Sequence, residues 1–202
     1  MVIFALFSVL SMLAPKSSTP AALREFADAW ARIEAYRAVL VMHETSGSEV
    51  QDRTYDYAFR KPHTASIAIT RGTGRGGHEL WDGGDTVVAS PPGLLSHIKL
   101  RLSMKDSRVA TLRGDTIEMA SFGWLLQHLQ SKGKLSQSSG PSIEKTPTKQ
   151  LELIVADPIS NGGITRELVD LSITTDLPVR VLRFADRVLV KQVDFKGVQI
   201  RP

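Results

Sequence analysis

The sequence contains no cysteine. Disulfides, thiolate metal sites, a cysteine nucleophile and a lipid-modified N-terminal cysteine are therefore all excluded. Histidine is scarce, and the five, at positions 43, 63, 78, 97 and 128, include no pair at the spacing of a helical or strand metal site. No metal and no cofactor is expected. The Gly-x-Ser-x-Gly elbow of hydrolase-fold enzymes does not occur either, so their serine nucleophile has no place here. His43 beside Glu44 and His128 four residues after Trp124 are local acid-base candidates, but a histidine next to one carboxylate is ordinarily a surface or half-buried strand residue. No catalytic residue is assigned and the chain is not expected to be an enzyme. An esterase acting on lipid esters stays as an alternative without a residue to carry it.

Charge of one sign is not concentrated anywhere. The 25 Lys and Arg are scattered among 21 Asp and Glu, for a formal net charge of +4. An anionic partner is compatible with that balance, but the dense basic run or stripe of a nucleic-acid binder is missing, and no nucleic acid is expected. Long apolar runs are few as well. Met1 to Ala14, MVIFALFSVLSMLA, has the length of a signal h-region and falls short of the roughly 20 residues that span a bilayer. It reads as an export signal or, with Pro15 directly behind Ala14 and no Lys or Arg ahead of the run, as an uncleaved anchor. A periplasmic or envelope location follows.

Glycine, by contrast, is dense between Gly72 and Gly84. A phosphate loop would need a helix to begin at once behind the glycines, and none does. Ser66 to Arg71 and Thr86 to Ser90 on either side are short and β-branched, so the glycines read as hairpin turns, with Asp82 and Asp85 as turn formers around Gly83-Gly84.

The remaining chain reads mainly as strands. Thr19-Pro20 is expected to start a helix, with the hydroxyl as cap, whose apolar face is Leu23, Phe26, Ala27, Trp30 and Ile33. From Tyr36 the period becomes two: Tyr36, Ala38, Leu40 and Met42 alternate with Arg37, Val39, Val41 and His43, and Tyr55, Tyr57 and Phe59 repeat the pattern beyond a turn at Thr45 to Ser48. His97 to Leu102 and Arg108 to Leu112 are weaker strand candidates. Ser121 caps a second helix with the stripe Phe122, Leu125, Leu126 and Leu129, ended by Lys132 and Gly133. Residues 134 to 149 are polar and lysine-bearing and read as a mobile basic loop able to approach an anionic membrane surface. Four closing strands are expected at 150–156, 164–174, 178–184 and 187–195. Two helices against about ten strands in meander order favour a mainly β (α+β) fold, one highly curved antiparallel sheet forming a half-open barrel over residues 19–200 as a single domain.

Three stretches, Tyr36-x-Ala-x-Leu40 after an amphipathic helix, Tyr55-Asp-Tyr-Ala-Phe-Arg-Lys-Pro62 and Leu80-Trp-Asp-Gly-Gly84, resemble the outer-membrane lipoprotein carrier (LolA-like) superfamily, and Leu177-Pro178-Val-Arg-Val181 resembles its C-terminal end. The resemblance covers roughly residues 22 to 200. It implies a half-open barrel with an amphipathic helix and a lid helix, holding lipid or lipoprotein acyl chains in an apolar cavity as a monomer. By this reading the ligand-binding side chains are Leu40, Met42, Tyr57, Phe59, Trp81, Phe122, Leu125 and Leu129, with Arg60, the basic residue ahead of Pro62, carried over by position. The alternatives left open are an envelope sensor or protein-interaction module of the same fold, and a barrel simply filled by these side chains.

Overall fold

A computed structural model describes residues 19–202; the apolar run Met1 to Ala14 lies outside them. Helix α1 (Ala21–Ala31) leads into strands β1 (Ala35–Ser46), β2 (Glu49–Arg60), β3 (Thr64–Gly72), β4 (His78–Trp81), β5 (Thr86–Ser90) and β6 (Leu100–Ser103). A stretch without strands then ends in a 3-10 turn, Ile117–Ala120, followed by helix α2 (Phe122–Ser131). Strands β7 (Gly133–Ser139), β8 (Thr148–Val155), β9 (Arg166–Ser172), β10 (Pro178–Ala185) and β11 (Val188–Arg201) complete the chain. All eleven form one antiparallel sheet in the order β6-β5-β4-β3-β2-β1-β11-β10-β9-β8-β7. Two meanders are therefore joined where the first strand pairs with the last, Leu40 opposite Phe195 and Glu44 opposite Lys191. The sheet does not close, since β6 and β7 remain its two edges.

The period-two reading of β1 and β2 holds in the structure. Tyr36, Ala38, Leu40, Met42, Tyr55, Tyr57 and Phe59 are all buried on the concave face, and the turn between the strands is tighter than expected, with Ser46 directly opposite Glu49. Both helices lie against that face. Seven aromatic rings gather between it and the helices: Tyr36 stacks on Phe122 at 4.2 Å and 4°, Phe122 meets Phe195 and Phe26, and Trp30 adjoins Phe59. With Tyr57 this cluster plugs the end of the half-barrel where the chain enters β1.

Several boundaries differ from the sequence reading. Helix α1 starts at Ala21; Pro20 is the extended residue before it and no hydroxyl caps it, so Thr19 does not serve as N-cap. The amide of Ala22 is taken instead by the side chain of Gln137, 2.9 Å away on β7. Arg108 to Leu112 is not a strand, and the strand expected from His97 begins only at Leu100. Half of the expected mobile basic loop is strand. Lys134 to Ser139 pair with Lys149 to Ile154, and Lys149 is bound to Glu25 and Asp176. An edge strand that buries little on either face has no hydrophobic alternation to announce it, and of β7 only Leu135 is apolar. Gly133 does not end the helix alone: a Cβ there would lie 2.0 Å from the carbonyl oxygen of Ile154, so glycine lets β7 approach β8. Strand β11 also runs six residues beyond the expected end at 195.

Helix α2 starts as expected. The hydroxyl of Ser121 accepts the amide N–H of Trp124 at 3.1 Å, satisfying one of the donors that the first turn leaves unpaired. The phenol of Tyr36 accepts the N–H of Phe122 at 3.2 Å.

Candidate functional site

Above the aromatic plug, the register of the closing strands lays the concave face out in rows. Met42, Val193, Val181, Val169 and Leu151 sit opposite one another on five neighbouring strands and make an apolar row. One step further from the plug the same register aligns Glu44, Lys191, Arg183 and Glu167. All four are buried, Glu44 and Glu167 completely. The row is therefore ordered anion, cation, cation, anion, and its two central cations need charge between them. Asp115, from the strandless stretch, supplies it: its Oδ2 accepts from Lys191 Nζ at 2.7 Å and from Arg183 Nη1 at 2.6 Å. Lys191 also reaches Glu44 Oε1 at 2.8 Å, Arg183 reaches Glu167 Oε2 at 3.1 Å, and Glu167 Oε1 meets His128 Nε2 at 2.6 Å. Isolated buried charges are costly, and such a chain persists because each member has an opposite neighbour.

Burial pushes the Asp115 carboxyl up, but Arg183 and Lys191 outweigh it and hold the group at about 2. Glu167 is likewise opposed by burial and lowered by Arg183 and His128. Glu79, on the far side of the concave face, behaves oppositely: burial raises it to about 7, and the attraction of Arg53 only partly offsets that.

Between the apolar row, α2 and the stretch from Val109 to Ser121 lies a cavity of about 70 Å³. Leu40, Met42, Ile67, Leu125, Val193 and Phe195 give it an apolar lining, and Arg53, Glu79, Asp115, Arg183 and Lys191 stand at its polar end. A second hollow of about 190 Å³ shares Asp115, Met119, Arg183 and Lys191 with it and continues past Arg113 to Asn161 and Gly162. The cover of the cavity is held by polar contacts. Besides Asp115, Thr111 donates to Glu44 Oε1 at 3.0 Å, and Arg113 donates to the carbonyls of Thr45 at 3.1 Å and Gly162 at 2.7 Å.

Of the ligand-binding side chains expected from the sequence, Leu40, Met42 and Leu125 meet at this cavity. Tyr57, Phe59 and Phe122 belong to the aromatic plug, and Leu129 is packed in the core beside them. Trp81 is buried elsewhere, its indole N–H on the carbonyl of Gly84 at 2.7 Å. Arg60 is exposed at the end of β2; Lys61 is the basic residue that engages a helix, donating to the carbonyl of Trp30 at 2.7 Å with its ammonium 4.3 Å from the Trp30 ring. His43 and Glu44 point to opposite faces, His43 to Asp52 on the surface and Glu44 to Lys191 inside. His128 stacks on Trp124 and faces Glu167. No group of three or more His, Asp or Glu among the described residues is placed to hold a metal ion.

The charged row was missed, though it left a signal. Glu44 continues the inward series 36, 38, 40, 42, Arg53 heads the series 55, 57, 59, Arg183 follows Val181, and Lys191 precedes Val193 and Phe195. A charge in an inward slot of a period-two pattern marks a buried partner to be found.

No family model and no curated protein matches the sequence. Among solved structures, MucB superposes with a TM-score of 0.55 at 14% identity, over 90% of this chain and 58% of that one. The chain shares the fold of MucB. A putative outer membrane lipoprotein-sorting protein domain from Vibrio parahaemolyticus (TM-score 0.44, 14% identity, 89% of this chain and 92% of that one) and the lipoprotein LppX of Mycobacterium tuberculosis (0.45, 13%, 91% and 95%) are also similar. On this frame the cavity and its charged row sit on the concave side, beneath the strandless cover.

Proposed function

We propose that this protein is a non-enzymatic binder or carrier of lipid or acylated lipoprotein in the cell envelope, taking acyl chains against the apolar row of its half-barrel. The observation that carries the reading is the covered cavity. Its lining is apolar up to the charged end, and its cover is a segment without regular strands that rests on Val109, Ile117 and Ala120 and is tied down by polar contacts. At about 70 Å³ the cavity is far below the roughly 300–1,000 Å³ of a pocket that encloses a small molecule. Occupation by an acyl chain therefore requires the cover, Val109 to Ala120, to lift away from β1, β10 and β11. The charged row then stands at the mouth, where a polar headgroup would rest, and the aromatic plug closes the other end.

Native mass spectrometry of the full chain purified without detergent, paired with displacement of a fluorescent fatty acid, tests the reading. A co-purifying lipid and saturable displacement are expected. Repeated absence of both would leave a barrel filled by its own side chains.

A further inference from the structure

The large apolar side chains that the fold leaves in water are not spread evenly. In this sheet the β1–β2, β3–β4, β5–β6, β8–β9 and β10–β11 connections all leave from one end, as the pairs Ser46 with Glu49, Ala68 with His78, Ala89 with Leu100, Ile154 with Arg166 and Ala185 with Val188 fix. The β8–β9 loop is drawn beside the β10–β11 turn by the Thr165 amide on the Phe184 carbonyl, at 2.9 Å. At the apices of these connections stand Leu94 (95% exposed) and Leu95 with Ile98 on one loop and Ile159 (93% exposed) on a second, while the exposed Val50 and Val188 flank two more turns at the starts of β2 and β11. Arg71, Arg75, Lys99 and Arg187 rise among them, against Glu49, Asp157 and Asp186. None of these four basic residues forms an ion pair among the described residues.

We propose that this rim is a docking surface for an anionic lipid bilayer, with the Leu94-Leu95 loop as its deepest insertion and the rim arginines on lipid phosphates. The pattern selects a fluid partner. Single apolar apices on separate turns, divided by Gly, Pro and Ser, offer no continuous patch of the roughly 800 Å² per side that a stable protein contact covers, whereas a bilayer surface accepts each apex independently and adds attraction for each neighbouring cation. The surface lies away from Lys149, which is already committed to Glu25 and Asp176, while Lys134, opposite Ile154 on β8, stands at the rim end. It stands independently of any ligand in the cavity, although the hollow lined by Asn161 and Gly162 opens at the same end.

Co-sedimentation of the full chain with phosphatidylglycerol-containing vesicles and with pure phosphatidylcholine vesicles is the test. Binding is expected on the acidic vesicles and to fall by about tenfold for the double variant Leu94→Ser with Leu95→Ser. Arg75→Gln with Arg187→Gln should lower it by a similar factor at low salt, and by much less at high salt. Ile173→Ser with Ile200→Ser, exposed at 57% and 54% at the opposite end, should bind as the parent does. The proposal is overturned if the parent prefers neither vesicle, if the leucine variant binds unchanged, or if the far-end variant loses as much. All changed side chains are in water, so an unaltered urea midpoint is expected and confirms folding in every variant.

Discussion

Asp115→Asn isolates the contact that pins the cover of the cavity. The substitution keeps the shape of the side chain and removes its charge, while Arg183 retains Glu167 and Lys191 retains Glu44. Its cost should therefore lie below the roughly 3–5 kcal/mol of leaving a buried ion without any partner. A second route gives a similar figure: a carboxyl held at about 2 instead of its ordinary 3.8 corresponds to about 2 kcal/mol of folding free energy at neutral pH. Because the folded-state value is depressed, that contribution is complete above about pH 4 and is lost as the pH falls through about 2. Urea melts of the parent and the variant should differ by about 2 kcal/mol at pH 7 and approach one another near pH 2. Hydrogen exchange then separates a latch from ordinary core. If Asp115 pins the cover, the amides of Thr111 and Gly114, bonded within the segment to Asp115 and Thr111, should exchange about thirtyfold faster, while those of β1 and β11 change only as far as global stability does. Unaltered exchange at Thr111 and Gly114 while β1 and β11 exchange faster, or a variant as stable as the parent, would refute the latch.

Further outcomes follow from the same geometry. Glu79, whose folded-state value is raised from 4.5 to about 7, contributes stability below about pH 4.5 that is lost as the pH rises through about 7; Glu79→Gln should flatten this slope, worth about 2 kcal/mol after allowing for the water that reaches a half-buried group, in melts between pH 4 and 8. Leu125→Gln and Leu129→Gln each bury an unsatisfied amide and should each cost about 2–4 kcal/mol in urea. In the folded fraction only Leu125→Gln, at the cavity wall, should also weaken displacement of a fluorescent fatty acid, and equal weakening by both would count against the cavity as the site. Tyr36→Phe removes the acceptor of the Phe122 amide and the donor to the Ala120 carbonyl, and should cost about 1–2 kcal/mol, read from the midpoint of a urea melt.

The sequence alone was enough for the elements whose own side chains alternate between water and core. Tyr36, Ala38, Leu40 and Met42 on β1, and Tyr55, Tyr57 and Phe59 on β2, declare their strands and their buried face without reference to the rest of the chain, and Ser121 marks the start of α2 by a bond made three residues away. Strand β7 was illegible because an edge that buries almost nothing has no pattern to show; its backbone pairing with β8 is the whole of its reason to be extended. The charged row was beyond the sequence for a different reason. Glu44 and Lys191 are 147 residues apart, and Lys191 and Asp115 are 76 apart. Which cation answers which anion depends on the register that joins the first strand to the last, and on where a strandless segment lies across that seam. Local periodicity fixes which way a side chain points, since a strand repeats every two residues whatever its neighbours are. Only the closed set of strand pairings decides what it points at.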